Sequence, residues 1–365
     1  MVRLTRAQQQ ARTRAAVLAS AREEFIEYGY GAAKVDRIAE RAELTRGAVY
    51  SNFPGKRALY LAVLVDMVEQ ANIPLAVEEP GSVGEALSAF ARVWLDRLPL
   101  VGDAAAGGRL QLRSLAGVID DDAGRAVLAQ TARLEALLLA LTLESCASEV
   151  TPPRRVRLAE LALTILSGSS LVAELAPGFG DPFDRARACG HLASLDLADA
   201  WAPPYLPYIA PAAQVQEKWT PPADADDLLS ADVVDLASDG VVVVLGGGRL
   251  GAAEEAVRTA RPGEQVTIVV VTEDPANTGP LIRLRVSDLV ACLRQVSPSP
   301  LPGHLRFVLD DDARVAAALG LADVGDHTEA AVRVNGGAVV ARAERRGAAY
   351  AVAATTTARS EGAAT

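Results

Sequence analysis

A run of apolar residues, Val241–Leu245, leads into Gly246-Gly247-Gly248-Arg249-Leu250-Gly251. The spacing is G-x-G-x-x-G, in which glycines allow a tight turn and bring backbone amides close to a pyrophosphate. The acid pair Glu273-Asp274 follows about twenty residues on, where a carboxylate would meet a ribose. Gly246, Gly248, Gly251 and Glu273 are therefore candidate cofactor-binding residues. Residues 34–56 offer a different chemistry. Gly47, Ala48 and Ser51 are small enough to let a helix approach DNA closely. Arg46, Ser51 and Asn52 carry donors and acceptors for base edges, Arg being the best bidentate partner of guanine and Asn of adenine. Thr45, Tyr50 and Lys56 suit phosphate oxygens, which fix register and read no sequence.

These side chains need helices to hold them. Residues 7–28 read as an amphipathic helix with Leu18, Ala21 and Phe25 on one stripe, stopped by Gly29 and Gly31. Residues 35–42 form a short second helix. Glu43-Leu44 make a tight turn, Thr45 caps a third helix through Phe53, and Pro54-Gly55 separate it from a fourth over 57–70. This is the layout of a helix-turn-helix. Val35, Ile38, Leu44, Val49 and Phe53 are its core. Arg3, Arg6, Arg12 and Arg14 precede it as a basic arm, equally readable as a disordered tail.

Charge divides the chain in the same way. Residues 1–60 hold eleven Lys/Arg against six Asp/Glu, while the whole chain of 365 residues carries a net charge of −10. A basic head on an acidic body fits one nucleic-acid module joined to something else, and excludes a general polyanion binder. Half the residues are apolar, enough for real cores. Three widely spaced cysteines make no disulfide framework and fit a reducing cytoplasm. No apolar run approaches the ~18–20 residues of a membrane span, and no apolar signal core follows Met1, so a cytoplasmic location is expected.

The runs Ala16-Val17-Leu18-Ala19-Ser20-Ala21-Arg22-Glu23-Glu24-Phe25, Tyr28-Gly29-Tyr30, Val35-Asp36-Arg37-Ile38-Ala39-Glu40-Arg41-Ala42, Leu44-Thr45-Arg46-Gly47-Ala48-Val49-Tyr50 and Phe53-Pro54-Gly55-Lys56 with Leu59 resemble the TetR family of regulators in residue type and spacing. The specific part covers about residues 14–65. The resemblance implies backbone contacts at Thr45, Tyr50 and Lys56. It also implies a helical ligand-binding body and a homodimer joined through two helices, on a pseudo-palindromic DNA operator. Lys34 departs from the family, which has a capping Ser or Thr there; Lys cannot cap an N-terminus, but it can reach a phosphate.

Residues 82–200 are helical by pattern. The stretches 122–146 and 154–176 each carry more than one apolar stripe, so each is expected to bury one face on its own core and another on a second subunit. The ligand is not readable; Trp94, Arg97, Arg109, Arg113, Glu144, Cys146 and His191 are the polar or aromatic residues nearest to the question, each equally at home on a helix surface or in an ordinary core. Cys189-Gly190-His191 lacks the second cluster a zinc site needs. Six prolines make 201–227 a linker, laid along the helical body by Trp201, Tyr205, Tyr208 and Trp219.

From residue 228 the character changes. Val241–Leu245 and Val266–Val271 read as buried parallel strands around a helix at 251–260. A third strand is expected at Leu305–Leu309, a helix at 313–319, and a hairpin at Ala331–Val334 and Ala338–Ala341 around Asn335-Gly336-Gly337. The later part, from Phe307 on, resembles the tail of thioredoxin-like domains, while the glycine run favours a nucleotide-binding fold. No C-x-x-C follows the first strand, so a thioredoxin-like module here would be catalytically dead. Asp310-Asp311-Asp312 reads as a helix cap.

The expected architecture is therefore multidomain: helix-turn-helix at 1–65, a helical ligand-binding and dimerisation domain at 66–200, a linker at 201–227, a small α/β thioredoxin-like domain at 228–355, and a tail at 356–365. The expected function is a ligand-relieved repressor, non-enzymatic and without a cofactor. Its partners are double-stranded DNA, an unknown small-molecule effector and a second copy of the chain, with no membrane. The alternative is a redox or dinucleotide-sensing protein or enzyme in which the α/β domain binds a nucleotide.

Overall fold

The computed structural model describes residues 5–71, 75–76, 78–97, 115, 117–147, 153–176, 178–201, 203 and 205–355. The chain divides into two compact units, one of Met1–Asp199 with Asp274–Pro302, the other of Ala200–Glu273 with Gly303–Thr365.

The first unit is helical. Its elements are α1 (Arg6–Ala32), α2 (Val35–Arg41), α3 (Arg46–Asn52), α4 (Lys56–Glu69), α5 (Val83–Leu95), α6 (Asp122–Ser145), α7 (Val156–Leu175) and α8 (Pro182–His191). Helix starts follow local chemistry. Thr5 and Gln8 close a capping box, and Ser82, Asp121 and Asp181 accept backbone N–H groups at the starts of α5, α6 and α8. Gly29, at φ 70, breaks the helical path of α1 where the sequence expected a stop, and one more turn follows it. Phe25, Tyr30 and Tyr60 pack ring against ring with centroids 4.9 to 6.4 Å apart, joining α1 to α4.

A further helix completes this unit from far along the sequence. Thr278–Leu293 lies in the chain between two strands of the other unit, but it packs against α4, α6 and α5. Its residues Leu281, Ile282, Leu284, Leu289 and Leu293 are fully buried. Arg285 pairs with Glu135 of α6 at 2.8 Å, and Asp288 pairs with Arg97. The expectation that 228–355 forms one domain is corrected here: residues 274–302 belong to the helical unit. Hydrophobic matching, not chain order, decides where an apolar helix goes.

The two-faced reading of 122–146 and 154–176 also divides. In α6, Leu134 and Ala136–Leu141 are buried, and its second face meets the segment 278–293. In α7, Ile165, Leu171 and Leu175 remain 37%, 54% and 77% exposed, with Phe179 and Phe183 beyond at 70% and 71%. By length and composition α6 and α7 are both apolar enough to cross a membrane, against the expectation that no segment is. In α6 that apolarity serves the interior.

The second unit is built on a six-stranded sheet: β1 (Ala213–Lys218), β2 (Gly240–Gly246), β3 (Val266–Val271), β4 (Leu305–Leu309), β5 (Glu329–Asn335) and β6 (Ala338–Glu344), in the order β1-β6-β5-β2-β3-β4. β2, β3 and β4 are parallel, and β5 lies antiparallel to β2. The hairpin turn uses Gly336 and Gly337 at φ 57 and 74, the conformation a two-residue hairpin of this hand requires. Helices α9 (Ala253–Thr259), α11 (Arg314–Ala318) and α12 (Ala348–Ala353) complete the unit, and Thr278–Leu293 takes the label α10 by chain order.

Residues 201–227 do not stand apart as a linker. They belong to the α/β unit and contain β1, an edge strand between Pro211 and Pro221, where proline is tolerated. Trp219 is buried in the core under the sheet, and its indole N–H donates to Leu236 O at 2.8 Å.

Candidate nucleic-acid interface

The interface is positioned by a charge that the sequence reading passed over. Glu24 is fully buried on the α1 stripe with Val17, Ala21 and Phe25. Its carboxylate accepts the Lys34 N–H at 3.0 Å and Arg37 Nε at 2.6 Å, and Arg41 approaches at 3.5 Å. It therefore clamps the start of α2, where Lys34 supplies no side-chain cap. A charged residue inside an apolar stripe was the available signal, because a buried carboxylate must have partners. Arg37 also stacks over the Tyr28 ring, 3.9 Å from its centroid.

The turn from α2 to α3 passes through Glu43 at φ 55. Thr45 then caps α3, its hydroxyl accepting from Ala48 N at 3.2 Å. Val49 and Phe53 are buried, which fixes the rotation of α3 and turns Arg46, Gly47, Tyr50 and Ser51 outward. A Cβ at Gly47 would meet only the Thr45 hydroxyl, at 3.8 Å, so the backbone there is open to a close neighbour. Arg46 reaches Asp36 at 3.3 Å and the Tyr50 hydroxyl at 3.5 Å, which holds its guanidinium over the outer face of the helix.

Two candidates are engaged differently from the sequence expectation. Asn52 donates one side-chain N–H to Ala48 O at 2.9 Å, which leaves its carbonyl oxygen and one N–H for another partner. Lys56 donates to Gly31 O at 3.0 Å and lies 4.8 Å from the Tyr30 ring centroid; partial burial lowers the pKa of its ammonium. Lys34 is exposed. Of the basic arm, Arg6, Arg12 and Arg14 are turns of α1 itself, and Arg14 lies 4.3 Å over Phe53; Arg3 lies outside the described residues.

Arg57, in the first turn of α4, pairs with Asp120 and Asp121 at 2.6 and 2.5 Å and joins the helix-turn-helix to the base of α6. The Gly124 N–H, and then Arg57, hold the Asp121 carboxyl below its usual range.

The other sequence candidates fare unevenly. Trp94 is buried, Arg97 pairs with Asp288, Glu144 accepts from Arg154 at 2.7 Å, and Cys146 is buried. His191 is exposed at the end of α8, while burial pushes the neighbouring Cys189 thiol up to about 11. Arg109 and Arg113 lie outside the described residues.

Packing engages two of the four candidates for dinucleotide binding, Gly246 and Gly248, within the chain, and sets Gly251 and Glu273 beside them. The N–H groups of Gly246 and Gly248 donate to Thr328 O and Asp326 O, both at 2.8 Å, so these amides are spent within the chain. A Cβ on Gly246 would run into Gly325 and Asp326, and one on Gly248 would come 2.8 Å from Asp326 O. Glu273 lies against Gly325. The glycines let the 325–328 loop close over the sheet end. Gly251 ends up in a short, tight helix, 247–252, rather than at the start of a long one.

Set beside known proteins, residues 17–63, which contain the helix-turn-helix, match the family model described as bacterial regulatory proteins, tetR family. One curated relative, the HTH-type transcriptional activator FasR of Mycolicibacterium smegmatis, is 45% identical over 51 residues, which is 14% of this chain and 23% of that protein. Solved structures overlap it more broadly. A TetR transcriptional regulator from Rhodococcus sp. RHA1 covers 53% of this chain and 99% of its own at 20% identity, with a TM-score of 0.31. A TetR-family transcriptional regulator from Pectobacterium atrosepticum covers 54% of this chain and 96% of its own at 25% identity, with a TM-score of 0.28.

Proposed function

We propose that the protein is a sequence-specific transcription regulator that binds its operator as a homodimer. The observation that carries this reading is the outer face of α3, where Arg46, Gly47, Tyr50 and Ser51 stand exposed on a helix rotated by buried Val49 and Phe53. In this reading Arg46 and Ser51 meet base edges, with Ala48 and the Asn52 oxygen at closer range. Thr45, Tyr50, Lys34 and Lys56 meet phosphates. The exposed apolar residues of α7 with Phe179 and Phe183 support a second copy as the dimer partner, since exposed apolar clusters of this kind mark interaction surfaces. The regulator reading places the protein in the cytoplasm, as a repressor that a small molecule releases. The α/β unit is then a non-catalytic thioredoxin-like module, a reading supported by the antiparallel hairpin beside the first parallel strand. The nucleotide-sensing alternative loses its support with the occupied glycine amides.

Selection of bound fragments from a random DNA pool tests the whole reading. The expected product is a pseudo-palindrome whose half-sites are about 34–36 Å apart, one helical turn or a multiple of it. Recovery of no enriched sequence at low salt would remove the regulator assignment.

A further inference from the structure

The α/β unit contains a cleft of about 500 Å³ that no part of the DNA-binding reading uses. That volume is in the range of small-molecule sites. One wall is the segment ahead of β1, with Tyr205, Tyr208 and Ile209; the other is the corner between β6 and α12, with Arg345 and Arg346. Ala348 and Ala351 also line it and make its surface between these walls apolar.

Both walls are fixed. The Tyr205 hydroxyl donates to Glu255 at 2.5 Å, so this residue offers the cleft its ring rather than its hydroxyl. The Arg346 guanidinium lies 4.2 Å from that ring's centroid. Ile209 packs so closely over Gly347 that a Cβ there would have no room. On the opposite wall Arg345 holds φ at 75, a left-handed conformation that a side-chain-bearing residue keeps only when its surroundings impose it. Glu329 imposes it: its backbone oxygen accepts from the Arg345 N–H at 2.7 Å, and its carboxylate accepts from the Gly347 N–H at 2.6 Å. These bonds fix the backbone at Arg345, from which its side chain leaves at the rim of the cleft.

Charge gives the ligand class. Within the lining, Arg342 and Glu344 answer each other at 3.4 Å, and Arg342 also pairs with Glu217 at 3.0 Å. Arg345 and Arg346 are exposed and form no ion pair among the described residues. Two exposed guanidinium groups thus line the cleft beside two tyrosines and an apolar surface, Arg345 without a carboxylate partner among the described residues and Arg346 stacked on Tyr205 within reach of the Glu255 charge. Guanidinium forks match carboxylates and stack on flat π systems.

We propose that this cleft binds a small anion with a flat apolar body, an aryl carboxylate in chemical class. The acid group meets Arg345 and Arg346, and the ring system lies along Tyr205 and Tyr208. The proposal does not depend on the DNA-binding reading, since both walls belong to the α/β unit.

Calorimetric titration of the full-length protein with naphthoate tests it, with naphthylmethanol and naphthylmethylammonium as neutral and cationic partners of the same shape. The expected result is one naphthoate per chain, binding by the alcohol weaker by about ten-fold or more, and none by the ammonium. Arg345→Gln with Arg346→Gln should weaken naphthoate by a similar factor at an unchanged melting temperature. Tyr208→Ala, at a residue 88% exposed, should weaken acid and alcohol alike at an unchanged melting temperature. Absence of naphthoate binding at millimolar concentration would overturn the proposal. So would equal binding of the three compounds, or full affinity in the double variant.

Discussion

Arg285 of α10 and Glu135 of α6 form a buried ion pair at 2.8 Å, with the carboxylate side chain only 3% exposed, across 150 positions of sequence. The pair lies inside the helical unit, yet Arg285 is encoded between strands β3 and β4 of the α/β unit. The loop from β3 to β4 therefore delivers a core helix to α4, the helix that carries Arg57 and packs on α1.

Breaking that pair on one side should be costly. Glu135→Ala leaves a guanidinium buried without its carboxylate and is expected to destabilise the helical unit by about 3–5 kcal/mol. Replacing both residues by Leu should recover most of the loss. Chemical denaturation of the two variants decides it; equal losses would mean that the ion pair contributes nothing specific.

Ending the chain at residue 227 should not yield a sound regulator, although the Pro-rich segment suggests a clean cut there. The truncation removes α10 and uncovers apolar surface on α4 and α6. The expected product lacks a cooperative melt or aggregates in gel filtration. A truncated protein melting like the full chain would show that α10 adds no stability.

Arg46→Ala is expected to relax preference at one base pair of each half-site, at a cost of about 1–3 kcal/mol. Its guanidinium is held outward by Asp36 and Tyr50, poised without being buried. Competition binding against single-base operator variants measures this. An unchanged preference profile would confine Arg46 to phosphate contact or to solvent.

Lys56→Ala should weaken binding to all sequences alike and lower the salt dependence by about one phosphate contact. The same change removes the tie to Gly31 O, so a modest loss of thermal stability should accompany it. Affinities measured at several salt concentrations separate the two effects: an unchanged salt slope with a lowered melting temperature would assign Lys56 to structure alone.

Glu255 should make the α/β unit less stable as pH rises. Burial raises its pKa above the ordinary 4.5, more than the Tyr205 hydrogen bond lowers it. A carboxyl raised in the folded state contributes stability that is full below its unfolded value and is lost as pH climbs through the folded one. The window therefore opens near pH 4.5 and runs upward. Glu255→Gln should gain melting temperature relative to the wild type at pH 7.5 compared with pH 4.5. An identical difference at both pH values would refute the assignment.

Local chemistry made much of this protein legible in one dimension. Thr45 as the cap of α3, the turn at Glu43, the strand at Leu305–Leu309 and the glycine hairpin after Asn335 all depend on neighbours within a few residues, and each stands where the sequence places it. The helix-turn-helix was legible for the same reason: Val35, Ile38, Val49 and Phe53 repeat at helical spacing and are buried together. What the tertiary structure decided was the use made of long-range neighbours. Gly246 and Gly248 have the spacing of a phosphate loop, but whether their amides meet a ligand or the 325–328 loop depends on a segment about eighty positions away. The apolar face of α10 fits any sufficiently apolar partner, and only the packed fold shows that α4 and α6 supply it. Glu24 reads as one more charge on a helix until Lys34 and Arg37 are seen to converge on it. Hydrogen bonds and turns are short-ranged and leave their mark in the local sequence; burial is non-directional, so the partner of an apolar or buried charged surface is set by the whole fold.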